Sequence, residues 1–197
     1  MRKKDHYTEL AKKYGLRSRA YFKLMDMDKR YKLFKPGDIV IDIGAAPGGW
    51  IKYSLKRIGF DGLVIGIDFR DIEPFNEPNV FILKKDIFDD NILREIRNIL
   101  GDRYADIVLS DASPNISGIY EIDTERIFDI NKRVLQICDK TLKVGGTLVL
   151  KTFEGRHERK LVKLIRNRFK KVIKYKPTPS RKRSSETYYI GKYHTLE

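Results

Sequence analysis

The segment Ile39–Ile43 is apolar apart from Asp42 and runs directly into Gly44-Ala45-Ala46-Pro47-Gly48-Gly49. A short buried strand that ends in glycines and gives way to a helical stretch, here near 50–58, predicts a strand–turn–helix unit. Such a unit belongs to a parallel sheet, because the helix carries the chain back to the start of the next strand. The rest of the chain repeats the alternation. Apolar runs at Leu63–Asp68, Asn79–Leu83, Ala105–Asp111 and Thr147–Phe153 predict further strands, the last entered through a turn at Gly145-Gly146. Helices are predicted over 89–100, 123–142 and 156–168. Two last strands are predicted near 171–176 and 186–193. Only the nine residues Pro177–Ser185, two of them proline, separate this pair. That is too short for a helical crossover, so the pair should be antiparallel. The expected fold is α/β: a mostly parallel seven-stranded sheet with a final antiparallel strand and helices on both faces.

A chain of 197 residues suits one such domain, residues 1–197. Residues 1–35 read as a basic helical N-terminal extension. Within it, residues 17–33 set Ala20, Phe22, Leu24, Met27 and Tyr31 at helical spacing among charges. No apolar run approaches the roughly 20 residues of a membrane span. The charged start, Met1-Arg2-Lys3-Lys4, does not read as a signal peptide. A soluble cytoplasmic protein is expected, with no membrane partner. The 41 Lys and Arg exceed the 27 acids by 14, which favours a polyanionic partner, nucleic acid first. Cys138 is the single cysteine and falls in a helical apolar pattern, so a buried thiol is expected. The three histidines, His6, His157 and His194, are scattered, and no metal site is expected.

The glycine turn is not the dinucleotide fingerprint, since Gly44 is followed by Ala, Ala and Pro. Pro47 also removes a backbone donor that a pyrophosphate would need. A nucleoside without phosphates fits better. Asp68 ends the second strand, where an acid binds ribose hydroxyls in nucleotide-binding sheets. Asp86 follows the third strand, where a carboxylate can take an adenine amino group. Three such features after successive strands match the S-adenosylmethionine methyltransferase fold.

Four segments then carry a closer likeness: Arg17–Leu24, Asp42–Trp50, Ser110–Gly118, and Leu150–Phe153 with Ser180–Tyr188. In that order they resemble the FtsJ-like (RrmJ type) ribosomal RNA 2′-O-ribose methyltransferases, from about Tyr14 to Lys192. The resemblance implies a catalytic tetrad of Lys23, Asp111, Lys151 and Glu186. It implies S-adenosylmethionine as methyl donor, leaving as S-adenosylhomocysteine, bound by Gly48, Trp50, Asp68, Asp86 and Asp111. It also implies a uridine of large-subunit ribosomal RNA as substrate, within the ribosomal subunit, and a monomeric enzyme. Transfer-RNA and cap 2′-O-methyltransferases share the tetrad, and an idle RNA-binding assembly factor on this fold is the alternative from another class. Where the family often has Met-Ala after the fourth strand, this chain has Ala112-Ser113. Basic residues from both ends, with Arg17, Arg19, Lys182 and Arg183 foremost, are expected to reach RNA phosphates. Lys170, Lys171 and Lys174 are expected to be solvated surface.

Overall fold

A computed structural model describes residues 6–178 and 185–195. Seven strands form one sheet: β1 Ile39–Ile43, β2 Leu63–Asp68, β3 Val80–Lys84, β4 Ala105–Ser110, β5 Leu142–Phe153, β6 Phe169–Tyr175 and β7 Glu186–His194. Their order is β3-β2-β1-β4-β5-β7-β6. The first five strands pair in parallel, and β7 runs antiparallel to both β5 and β6. Six helices surround it: α1 His6–Lys13, α2 Ala20–Tyr31, α3 Gly49–Ile58, α4 Ile92–Leu100, α5 Tyr120–Thr141 and α6 Glu158–Arg166.

β1 and β2 are buried at every position, as parallel strands covered on both faces must be. Ile39, Ile41 and Ile43 point to a core shared with α4, α5 and α6, where Cys138 is also buried. Val40 points the other way, into a core built with α1, α2 and α3. The outermost strand β6 carries Lys170, Lys171 and Lys174, charges that discourage pairing with another sheet edge. Lys174 is ion-paired to Glu154 and Glu158. No helix among the described residues is long and apolar enough to cross a membrane.

Two elements differ from expectation. β5 begins at Leu142, before Gly145-Gly146, and its register against β4 slips between Ala105 and Ile107. The glycines therefore form an irregularity inside a strand rather than a turn before it, with Gly145 at φ 81°. The basic N-terminal segment also contains a first helix, α1, which buries Ala11.

Asp28 fixes the end of α2 and its tilt against α3. It is 3 % exposed. Its carboxylate accepts from the Leu33 amide at 2.8 Å, the Phe34 amide at 3.3 Å and the Tyr53 hydroxyl at 2.7 Å. Arg57 Nε completes the set at 2.8 Å. This network holds α2 across the carboxyl ends of the strands, where Lys23 is needed.

Candidate active site

Strand alternation places the polar residues on one face. Leu109, Val149, Tyr188 and Ile190 belong to the core covered by α2 and α3. Two residues further along, or back, the same face presents Asp111, Lys151 and Glu186. Asp111 still belongs to the ladder, since its amide donates to the Ile43 carbonyl at 3.1 Å. Lys151 faces Tyr188 across the β5–β7 pair, and Phe153 faces Glu186. β1 and β4 are neighbours where the strand order reverses, the place at which open α/β sheets bind ligands.

The four side chains meet through a fifth. Lys23 Nζ lies 2.6 Å from Glu186 Oε1 and donates to the Tyr188 hydroxyl at 3.2 Å. That hydroxyl donates to Asp111 Oδ1 at 2.7 Å. Lys151 Nζ donates to the Asp111 carbonyl at 2.5 Å and lies 3.2 Å from Asp111 Oδ1. Burial raises the pKa of Asp111, but Lys151, Lys23 and the Tyr188 hydrogen bond outweigh it and hold the carboxyl below its ordinary value. Burial, with Asp111 and Glu186 nearby, pushes the Tyr188 phenol well above its ordinary value. Tyr188 is therefore a neutral hydroxyl that links an ionised carboxylate to a buried lysine. Alternation from Glu186 puts residue 188 on the same face, so a period-two signal for Tyr188 was present in the sequence.

Lys23, Asp111 and Lys151 border one end of a cavity of about 620 Å³. The glycine loop, Asp68 and Asp86 border the rest. Gly44 has φ 75°, and a Cβ there would lie 2.5 Å from Ala112 Cα, so the loops after β1 and β4 touch only because it is glycine. Asp68 is 4 % exposed. Its oxygens accept from the Ala46 amide at 2.9 Å and from Arg70 through its amide at 2.9 Å, Nε at 3.0 Å and Nη2 at 2.9 Å. Burial works against ionisation, but the hydrogen bonds from Arg70 and Ala46 prevail and lower the Asp68 pKa. Asp86 is exposed and accepts from the Phe88 amide at 2.9 Å.

The other expected residues divide between the cavity border and the structure around it. Gly48 and Trp50 do not line the cavity. Trp50 is 2 % exposed, and its indole Nε1 donates to the Ala20 carbonyl at 2.8 Å, tying α3 to α2. Arg19 borders the cavity. Arg17 donates to the backbone carbonyls of Glu73 and Pro74. Lys182 and Arg183 fall outside the described residues. Among the described residues no group of three or more His, Cys, Asp or Glu could hold a metal ion.

Comparison with known proteins adds three findings. A family model described as FtsJ-like methyltransferase matches residues 16–194. The chain is 43 % identical over 196 residues to the ribosomal RNA large subunit methyltransferase E of Methanocaldococcus jannaschii, covering 98 % of this chain and 80 % of that one. It is 40 % identical over 190 residues to the protein of the same name from Methanobrevibacter smithii, covering 96 % and 90 %. A crystal structure from Plasmodium falciparum, described as a ribosomal RNA methyltransferase, superposes with a TM-score of 0.81 at 28 % identity, covering 92 % of this chain and all of that one.

Proposed function

The chain belongs to the FtsJ-like methyltransferase family, and from that premise we propose that it transfers the methyl group of S-adenosylmethionine to a ribose 2′-hydroxyl of large-subunit ribosomal RNA, at a uridine. The observation that carries this reading is the continuous Lys23–Tyr188–Asp111–Lys151 hydrogen-bond chain, three members of which line a nucleoside-sized cavity.

The cavity fits the cofactor. A carboxylate for ribose hydroxyls, Asp68, and a second for an adenine amino group, Asp86, lie on its wall, with Ile67, Ile87, Phe69 and Phe88 as apolar surface. S-adenosylmethionine, when bound, supplies a methyl group already activated by sulfonium charge, so the protein need only prepare the nucleophile. Lys151 holds the ribose hydroxyl and, once Nζ has given up its own proton to solvent, takes the hydroxyl proton there. Asp111 fixes Lys151 through two oxygens and presents negative charge toward the cavity. Tyr188 and Glu186 fix Lys23 on the far side of Asp111 from Lys151. Arg19, on the cavity border, and the Lys182-Arg183 pair hold RNA phosphates. The enzyme acts as a monomer on RNA within the ribosomal subunit.

The test is a single-turnover assay with labelled S-adenosylmethionine and separate ribosomal, transfer and messenger RNA pools, followed by mapping of the ribose methyl. Lys151→Ala should lower transfer by roughly 10²–10⁴-fold, the usual worth of general acid–base catalysis, with cofactor binding retained. Near-normal transfer by that variant removes Lys151 from the centre of the mechanism. Loss of cofactor binding along with transfer makes it a structural residue instead.

A further inference from the structure

Arg17 lies one residue before the cavity-lining run Ser18, Arg19 and Ala20, and its sequence context suggests a phosphate contact. Its geometry says otherwise. Nη1 donates to the Glu73 carbonyl at 2.5 Å and approaches the Pro47 carbonyl at 3.5 Å, while Nη2 donates to the Pro74 carbonyl at 2.8 Å. The guanidinium carbon sits 3.7 Å from the centre of the Phe75 ring. The fork that would grip a phosphate in two parallel bonds is committed to backbone oxygens.

The carbonyls belong to segments that need an outside anchor. Residues 71–76 follow β2 without regular secondary structure and include Pro74, which has no amide to donate. Pro47 belongs to the glycine loop and borders the cavity, as do Phe69 and Arg70 at the start of the other segment. Between the two lies Gly48 at φ 102°, where a Cβ would stand 3.0 Å from both Arg17 Cδ and Phe75 Cζ. Gly48 takes a φ that favours glycine, and Arg17 and Phe75 close over it.

We propose that Arg17 is a positioning residue for the cofactor cavity: its guanidinium clamps the 73–75 segment against the glycine loop, and RNA phosphate is not its ligand. The inference rests on the reading that the cavity takes S-adenosylmethionine. Three walls converge on this one side chain: the N-terminal arm, the glycine loop and the segment after Asp68. Lysine cannot replace it, because an ammonium neither spans two carbonyls nor stacks flat on Phe75.

The test compares Arg17→Ala, Arg17→Lys and Phe75→Leu with the wild type, using the full chain. Calorimetry with S-adenosylhomocysteine should show binding weakened about tenfold or more in both arginine variants, for loss of charge-assisted hydrogen bonds. Phe75→Leu, which keeps those bonds, should weaken it less and in the same direction. KM for S-adenosylmethionine should rise while kcat at saturation stays near the wild-type value. RNA affinity without cofactor should hold within about twofold, with its salt dependence unchanged, since no phosphate contact is lost. Hydrogen exchange of the amides of residues 69–76 should speed up in Arg17→Ala, a readout that needs no cofactor. If the wild type binds no S-adenosylhomocysteine but exchange speeds up in the variant, the clamp stands and the cofactor reading fails. Unchanged exchange overturns the clamp. So does weakened RNA binding with intact cofactor affinity, which would make Arg17 a phosphate contact.

Discussion

Arg70 and Asp68 form a closed pair: the arginine supplies an amide, Nε and Nη2 to a carboxylate whose remaining site is taken by the Ala46 amide. A carboxylate offers about four acceptor positions, so a ribose can bind Asp68 only by displacing the Arg70 side chain.

The sign of the Arg70→Ala effect follows. Removing the competitor should tighten S-adenosylmethionine binding, by up to about 1 kcal/mol because Arg70 is largely exposed and its pairing is screened. Asp68→Ala should weaken it by about 1–3 kcal/mol. Calorimetry on both variants decides the matter, and equal weakening in both would make Arg70 a ligand rather than a competitor.

Tyr188→Phe removes one hydroxyl from the chain between Lys23 and Asp111. Asp111 keeps Lys151 but loses a donor, and Lys23 keeps Glu186. Single-turnover transfer should fall by roughly tenfold, the effect of about 1.4 kcal/mol, near the worth of one hydrogen bond. Cofactor affinity should be unchanged. A rate equal to the wild type would mean that the four charged residues hold their geometry without the phenol.

Asp42 predicts a pH effect of unusual sign. It is fully buried, and neither carboxylate oxygen has a hydrogen-bond partner among the described residues. Burial first, then Asp111 and Asp68, raise its pKa well above the ordinary value. A carboxyl with a raised folded pKa binds more protons folded than unfolded, so its contribution to stability is lost as pH rises above about 4, the unfolded value. Asp42→Asn should therefore gain stability relative to the wild type as pH increases from 4 to 8. Urea melts across that range read the difference, and a constant offset would contradict it.

Asp28→Ala should destabilise the fold by about 3 kcal/mol, since two buried amides and the Tyr53 hydroxyl lose a charged acceptor. The loss should appear in denaturant midpoints at pH 7. A change below about 0.5 kcal/mol, typical of surface substitutions, would show that α2 is held by its apolar face alone.

RNA affinity should fall steeply with salt, because phosphate contacts release counterions. Arg19→Glu, and the double variant Lys182→Glu with Arg183→Glu, should weaken binding, and the double variant should leave cofactor affinity alone. Filter binding at several salt concentrations checks this, and a flat salt profile would argue against a basic RNA face.

Strand alternation made much of this architecture legible in advance. The apolar runs gave the strand count, and the short Pro177–Ser185 connection gave the antiparallel end of the sheet. What local pattern could not reveal was the use of each polar tip. Trp50 reads equally as ligand or core until its indole is seen on the Ala20 carbonyl. Arg17 reads as a phosphate contact because its true partners are backbone oxygens 56 and 57 residues away, which no side-chain pattern marks. Gly145-Gly146 reads as a turn because a strand irregularity and a turn ask for the same residues. Tyr188 sat within a matched segment, yet a tyrosine in a buried strand is also ordinary core.

β7 follows β6 along the chain but separates it from β5 in the sheet. The chain thus lays down β5 and β6 before the strand that comes to lie between them. Glu186 and Tyr188 travel with that later strand, so Lys23 joins the Asp111–Lys151 pair only once β7 is in place. Under the proposed function, a protease cut within β7 would silence the enzyme while leaving the residues that line the nucleoside pocket in place.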